Sequence, residues 1–314
     1  MRAVPMYSVT HVVLPIFGLI LAGYVCRRSG CLGATAASEL NRFVVWLCLP
    51  ALLFEATATA SWHQIWHPRF VAVFALATMA VFAITVVLRL RSPRHLADAG
   101  IDGLSAAYAN TGYIGIPLCV LVLGDDGLLP ALIATLIVVC VLFAIAVVCV
   151  EIGLQAETTL HHAVGKVLLA LAKNPLVVAP ILGALWAASG LALAQPADKF
   201  LQLLGDATTP CALVSLGAFL TQRHSPGAQR SALSLTAVKL IGQPAIAWVL
   251  AAYVFGLSPL WTKAALLLAA LPTGTGPFML AEFYAREASV VAGTILYSTV
   301  GSLVTLSLCL YLIQ

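Results

Sequence analysis

Charge is what this chain has least of. Only 9% of its 314 residues are Asp, Glu, Lys or Arg, well under the roughly 25% usual in soluble domains. Other absences narrow the functions open to it. No GxxxxGK[ST] phosphate loop occurs, so ATP hydrolysis within the chain is not expected. Neither HExxH nor a paired Cys/His spacing is present, and no metal or cofactor is expected. No serine sits in a nucleophile motif with a base, so no catalytic residue is assigned and the chain does not read as an enzyme. The eight cysteines lie mostly in apolar segments, Cys26 and Cys31 apart, and suit packing rather than a disulfide framework.

Apolar side chains take the place of charge. Hydrophobic residues make up 61% of the chain and the mean hydropathy is +1.02, more apolar surface than one soluble core hides. Stretches of about 20 apolar residues, the length that crosses ~30 Å of hydrocarbon, recur between short polar breaks. Ten spans are expected, over residues 8–26, 42–59, 70–89, 101–123, 129–151, 174–194, 205–221, 232–256, 263–283 and 289–312. The expected setting is the lipid bilayer of a plasma membrane or a bacterial inner membrane. In the first stretch, HVVLPIFGLILAGYV, the arginines follow the apolar core and no small-residue cleavage site is present, so it reads as a span and not as a removable signal.

With ten spans both termini share a side. The loops opposite them hold Arg27, Arg28, Arg42, Arg89, Arg91, Arg94, Lys166, Lys173, Arg223, Arg230 and Arg286, whereas the terminus side holds only Arg2, Arg69, Lys199 and Lys263. Lys and Arg concentrate in cytoplasmic loops, which puts both termini outside. The net charge of +4 is then a matter of topology and no sign of a nucleic-acid partner.

The chain repeats itself. Pro15 in LPIFGLILAG matches Pro180 in APILGALWAASG, 165 residues on; Pro50 in LCLPALLF matches Pro210 in TTPCALVSLG and Pro117 in GYIGIPL matches Pro277 in TGTGPFM, each 160 residues on. Two halves of five spans follow, 8–151 and 174–312, joined by a cytoplasmic loop over 152–173. Five is odd, so the second half enters the membrane from the opposite side, an inverted repeat of the kind found in secondary transporters. Chance matches among 16 prolines are the alternative.

NTGYIGIPL, residues 110–118, interrupts an apolar stretch where a helix is expected. Proline removes a backbone donor and glycine admits non-helical angles, and in hydrocarbon a broken helix survives only where protein or a wet cavity satisfies the freed groups. The counterpart LPTGTGP, residues 271–277, occupies the fourth span of the second half. Inversion brings the two breaks together as a crossover, with helix N-termini and free N–H groups converging on a point suited to an anion. Asn110, Thr111, Gly112, Gly115, Thr273, Gly274, Thr275 and Gly276 are the candidate substrate-binding residues, and Pro117 and Pro277 mark the crossing. Two proline kinks that only shape packing are the plainer reading.

On these motifs the chain resembles the auxin efflux carrier family, which includes plant PIN proteins and bacterial organic-acid permeases. LNRFVVWLCLPALLF (Leu40 to Phe54), NTGYIGIPL, VKLIGQPAIAWV (Val238 to Val249) and LPTGTGPFMLAEFY look like the family's second, fourth, eighth and ninth spans. The resemblance implies an all-α membrane protein with crossing broken helices in spans four and nine. It also implies a scaffold made of the first two spans of each repeat, a mobile transport domain made of the last three, and substrate contact by Asn110. A homodimer through the scaffold helices is left open. The long central loop of plant members is missing here, so regulation through such a loop does not transfer.

Ionisable groups within spans are costly and usually functional. Lys239, in the eighth span, could pair with a substrate carboxylate, carry a coupling proton, or neutralise an acidic group or helix end. Glu282, near the cytoplasmic end of the ninth, could bind an ion or snorkel. Glu55 and Asp206 are expected at the outer interface, Asp98 and Asp102 at the cytoplasmic start of the fourth span, and Asp125 and Asp126 in a turn. The expected function is secondary active transport of a small organic anion, a mono- or dicarboxylate, by elevator-like alternating access. The coupling ion, proton or sodium, is undetermined, and a passive channel or an intramembrane enzyme are the alternatives. The charge count makes the topology testable. A cysteine at position 91 should react with an impermeant maleimide only from the cytoplasmic side, and one at position 125 only from outside; the reverse pattern overturns the orientation.

Overall fold

The computed structural model describes residues 7–59, 67–92, 94–155, 169, 172–221 and 227–313. Most of the expected connecting loop over 152–173, together with Arg2, Arg223 and Gln314, lies outside them. The described residues form helices: α1 (Tyr7–Arg28), α2 (Ala36–Ala58), α3 (Pro68–Leu90), α4 (Leu96–Ala107), α5 (Ile116–Leu123), α6 (residues 128–154), α7 (Pro175–Ala188), α8 (Gln195–Phe219), α9 (Ala228–Val254), α10 (Pro259–Ala269), α11 (Gly276–Phe283) and α12 (Ala288–Ile313). Apart from one isolated bridge, no strand occurs among them. Five stretches are long and apolar enough to cross a membrane: Ala36–Ala58, Pro68–Leu90, Leu118–Leu154, Ala228–Val254 and Ala288–Leu312.

The expected spans 101–123 and 263–283 each appear as two short helices, α4 with α5 and α10 with α11, so no half reaches that length alone. Two other helices begin earlier than their apolar cores. α2 starts at Ala36 and α8 at Gln195, because their polar first turns, with Glu39 and Asp198 where the positive helix N-terminus favours an acid, extend the helix without adding hydropathy.

Three prolines widen the helices that hold them. Pro50, Pro117 and Pro244 each follow by two residues a wide, π-type turn, at Val44–Cys48, Thr111–Gly115 and Val238–Gly242. Proline offers no N–H and its ring crowds the carbonyl four residues back, so the turn before it opens.

Packing sorts the helices into two groups. α1 runs along α8 and α2 along α7, with α2 and α8 also in contact; α3 packs on α4, α4 on α6, and α9 on α10 and α12. In the first group the backbones approach closely where side chains are small. A Cβ on Gly217 of α8 would sit 1.9 Å from the Ile20 carbonyl oxygen of α1, one on Gly23 would sit 2.1 Å from that of Val214, and one on Gly183 of α7 would sit 2.0 Å from the Thr57 hydroxyl of α2. The second group is tied together at its basic end. The Asp102 carboxylate, nearly buried, meets Arg89 at 3.0 Å and Arg94 at 3.2 Å, and Arg286 donates to both oxygens of Asp98 at 2.7 and 2.5 Å.

The two helix breaks meet. Ala109 and Thr273 form an antiparallel bridge, with the Asn110 N–H donating to the Pro272 carbonyl at 2.9 Å and the Gly274 N–H to the Tyr108 carbonyl at 3.0 Å. The carbonyl ends of both half-helices are served by one helix. Lys239 on α9 donates from Nζ to the carbonyl of Ala269, the last residue of α10, at 2.8 Å. One turn on, Gln243 donates from Nε2 to the carbonyl of Ala107, the last residue of α4, at 3.1 Å, and to the Thr78 hydroxyl at 3.3 Å. Both side chains are fully buried.

Two stability outcomes follow from this packing. Gly217→Leu forces α1 away from α8 and should cost about 1–3 kcal/mol, read as a lower melting temperature of the purified protein. Gly18→Ala, where nothing lies within 4 Å of the added carbon, should be neutral or stabilising. Lys239→Ala removes both packing and a helix cap, and should cost about 2–5 kcal/mol while changing carboxylate binding much less. Unchanged melting with lost binding would reassign Lys239 to the substrate.

Candidate functional site

On one side of the paired breaks lies a cavity of about 760 Å³, within the usual range for small-molecule sites of roughly 300–1,000 Å³. One wall is the crossover itself: Tyr108, Ala109, Asn110, Thr111 and Gly112 from the first break, with Gly274 and Thr275 from the second. A second wall comes from α6, through Leu129, Leu132, Thr135, Leu136, Val139 and Cys140. The third belongs to the other helix group, with Leu49, Leu52, Glu55, Ala56 and Thr59 of α2 and Gly205, Asp206, Thr208 and Thr209 of α8. The cavity therefore lies between the two groups and reaches the exposed residues Thr59 and Asp206.

Toward the basic end the groups touch. Trp46 packs on Phe283 and Phe219 on Phe278, with ring centroids 5.9 and 5.2 Å apart, and Asn41 donates to the Met279 carbonyl at 3.4 Å. Asn174, which caps α7 by accepting from the Leu176 N–H, also donates to the Tyr284 hydroxyl at 3.1 Å; that hydroxyl donates in turn to Glu151 at 2.5 Å.

Five of the expected substrate residues line the cavity: Asn110, Thr111, Gly112, Gly274 and Thr275. The other three build the crossing. Gly115 leaves room for Leu268 and Leu271, whose side chains would crowd a Cβ to 3.0 and 2.8 Å; Gly276 lies against the Tyr108 ring, 2.6 Å from where a Cβ would be. Thr273 donates from its hydroxyl to the Ser105 carbonyl at 2.9 Å and from its N–H to the Ser298 hydroxyl at 3.0 Å. Pro277 stands second in α11, where a missing N–H costs nothing, whereas Pro117 follows the wide turn Thr111–Gly115. Lys239 and Glu282 are absent from the lining.

The wall formed by α2 and α8 was not assigned from the sequence. Glu55 and Asp206, expected at the outer interface, face into the cavity. A signal existed in DATTP, residues 206–210, which sets four polar or helix-breaking residues in an otherwise apolar segment.

Chemically the site offers hydrogen bonding and a field. The half-helix leaving the first break opens at Thr111, whose wide turn runs on into α5 through the Ile116 N–H to the Thr111 carbonyl, and α11 opens at Gly276; both of these N-terminal ends are positive. Asn110 adds a side-chain donor and acceptor, and its carbonyl accepts from the Ile114 and Gly115 N–H groups, which fixes the wide turn.

Known proteins similar to this chain include membrane transport proteins. A family model described as membrane transport protein matches residues 8–310. A Rhizobium meliloti (strain 1021) protein named "Putative malonate transporter" is 28% identical over 98% of this chain and 97% of its own length. The Escherichia coli (strain K12) uncharacterized transporter YfdV is 24% identical over 95% of this chain and 96% of its own, and auxin efflux carrier component 8 of Arabidopsis thaliana is 30% identical over 42% of this chain and 37% of its own. With the family model covering nearly the whole chain, the protein belongs to the membrane transport protein family that includes the auxin efflux carriers.

Proposed function

We propose that this protein is a secondary carrier of a small organic anion, a mono- or dicarboxylate, bound at the helix crossover. The observation that carries the proposal is the antiparallel pairing of the two breaks beside a cavity into which Asn110 and two helix N-termini face. The likeness to a protein named for malonate supports a short carboxylate.

The architecture proposed is ten spans in an inverted five-plus-five repeat with both termini outside. The matched packing of α1 on α8 and α7 on α2 supports it, since an inverted repeat pairs the first and seventh spans as it pairs the sixth and second. The α1, α2, α7, α8 group is the scaffold and the remaining helices form the transport domain. Alternating access is an elevator-like movement of the second group along the first. The cavity between them is the outward-facing state, closed at the cytoplasmic end by the contacts around Tyr284 and Phe283.

Asn110→Ala tests the site. Among the described residues its side chain makes no hydrogen bond, so the variant should reach the membrane folded, with uptake of labelled malonate by proteoliposomes reduced about tenfold or more. Saturation and counterflow in the unaltered protein distinguish a carrier from a channel. Full uptake by Asn110→Ala at normal expression excludes the crossover as the binding site.

A further inference from the structure

We infer that the transported species is a monoanion whose far end donates a hydrogen bond, such as the half-protonated form of a short dicarboxylate, and that Glu55 and Asp206 select for it. The inference rests on the organic-anion reading and concerns the same cavity.

The cavity has two polar walls of opposite character. On the crossover wall, Asn110, Thr111 and the N-terminal ends of the two half-helices line the space; the Thr111 hydroxyl is buried, on a residue 1% exposed, and has no hydrogen-bond partner among the described residues. On the α2–α8 wall stand the carboxylates of Glu55 and Asp206, with the Thr208 hydroxyl between them and the core, likewise buried at 3% exposure and likewise unpartnered. Each wall thus carries a buried hydroxyl whose hydrogen-bonding capacity is unmet.

The charge pattern restricts which ligand. Among the described lining residues no Lys, Arg or His occurs; the titratable groups are Glu55 from α2, Asp206 from α8, Tyr108 from the first break and Cys140 from α6. Asp198, a further acid on α8, also acts on Glu55 through space, and its neighbour Lys199 is exposed and outside the lining. An ionised carboxylate only accepts hydrogen bonds. One carboxylate of a substrate is favoured at the N-termini, but a second charge at its far end would meet like charges on the opposite wall and be rejected. A hydroxyl, amide or protonated carboxyl there would donate to them.

Three ligands built on the same three-carbon acid separate these terms: malonate, malonamate and monomethyl malonate, titrated onto the purified full chain at pH 8 without sodium. Malonamate, a monoanion with a donor, should bind about tenfold or more tighter than the malonate dianion and tighter than the donor-free ester. Malonate should improve as pH falls through its own second ionisation. In the Glu55→Gln, Asp206→Asn double variant, checked by its melting temperature and backed by the two single variants, the dianion should gain about tenfold and the pH dependence should flatten. Tighter binding of the dianion than of malonamate by the unaltered protein overturns the inference, as does weaker dianion binding in the variants. Dianion binding that appears only with sodium, and loses that dependence in the variants, overturns it in favour of a bound cation. If none of the three ligands binds at any pH, the organic-anion reading itself fails and the inference with it.

Discussion

Two backbone hydrogen bonds, Asn110 N–H to Pro272 and Gly274 N–H to Tyr108, are the constraint around which the rest of this protein is arranged. A helix broken in an apolar surrounding exposes amides and carbonyls, and each one left unmet costs several kcal/mol. One break alone would need water or a dedicated side chain for every such group. Two breaks laid antiparallel satisfy one another, and the neighbouring side chains are chosen to permit that approach. Gly276 gives way to the Tyr108 ring, Gly115 to two leucines, and Thr273 returns a hydrogen bond to the Ser105 carbonyl. The carbonyl ends are completed by Lys239 and Gln243, which stand one turn apart on α9 and so reach both half-helices from one side.

This arrangement gives the crossover a direction. The negative ends of α4 and α10 are met on the α9 side, by a cation and an amide, while the positive ends of the half-helices that open at Thr111 and Gly276 border the cavity. On the proposed reading the site favours an anion with no basic side chain among its described lining residues. The arrangement also bears on where Lys239 acts. Its ammonium is committed to the Ala269 carbonyl, behind the crossing and away from the cavity, so its charge reaches the site through the half-helix it caps.

Much of the break was legible in the sequence because proline and glycine state backbone requirements locally. Pro117 and Pro277, 160 residues apart, located both crossings, and the polar residues and glycines beside them supplied five of the cavity's lining positions. Hydropathy found the apolar stretches but not the helix starts at Ala36 and Gln195, since polar first turns contribute helix without contributing hydrophobicity. Glu55 and Asp206 were legible as residues and not as neighbours. Which face of α2 or α8 looks onto the crossover depends on how the helices are rotated in the packed protein, and no local signal fixes that rotation. Gly115, Thr273 and Gly276 lie outside the cavity lining: a glycine that admits a substrate and one that admits a neighbouring side chain are the same letter, and the Thr273 hydroxyl is turned to the Ser105 carbonyl.

The two helix groups differ in how they are joined internally and to each other. Within the first, glycines seat backbone on backbone at Gly217 and Ile20 and at Gly183 and Thr57; within the second, the breaks share hydrogen bonds and Asp98 and Asp102 hold three arginines. Between the groups the contacts at the basic end are aromatic edges and hydrogen bonds from Asn41 and Asn174, individually worth about 0.5–1.5 kcal/mol. Interdigitated backbones have one good arrangement and resist sliding, whereas a boundary of rings and single hydrogen bonds can be remade one register away. On the proposed carrier reading the movement belongs at that boundary. The crossover then travels intact with its cavity wall, and Glu55 and Asp206, fixed to the other group, meet the substrate only while the cavity has its present shape.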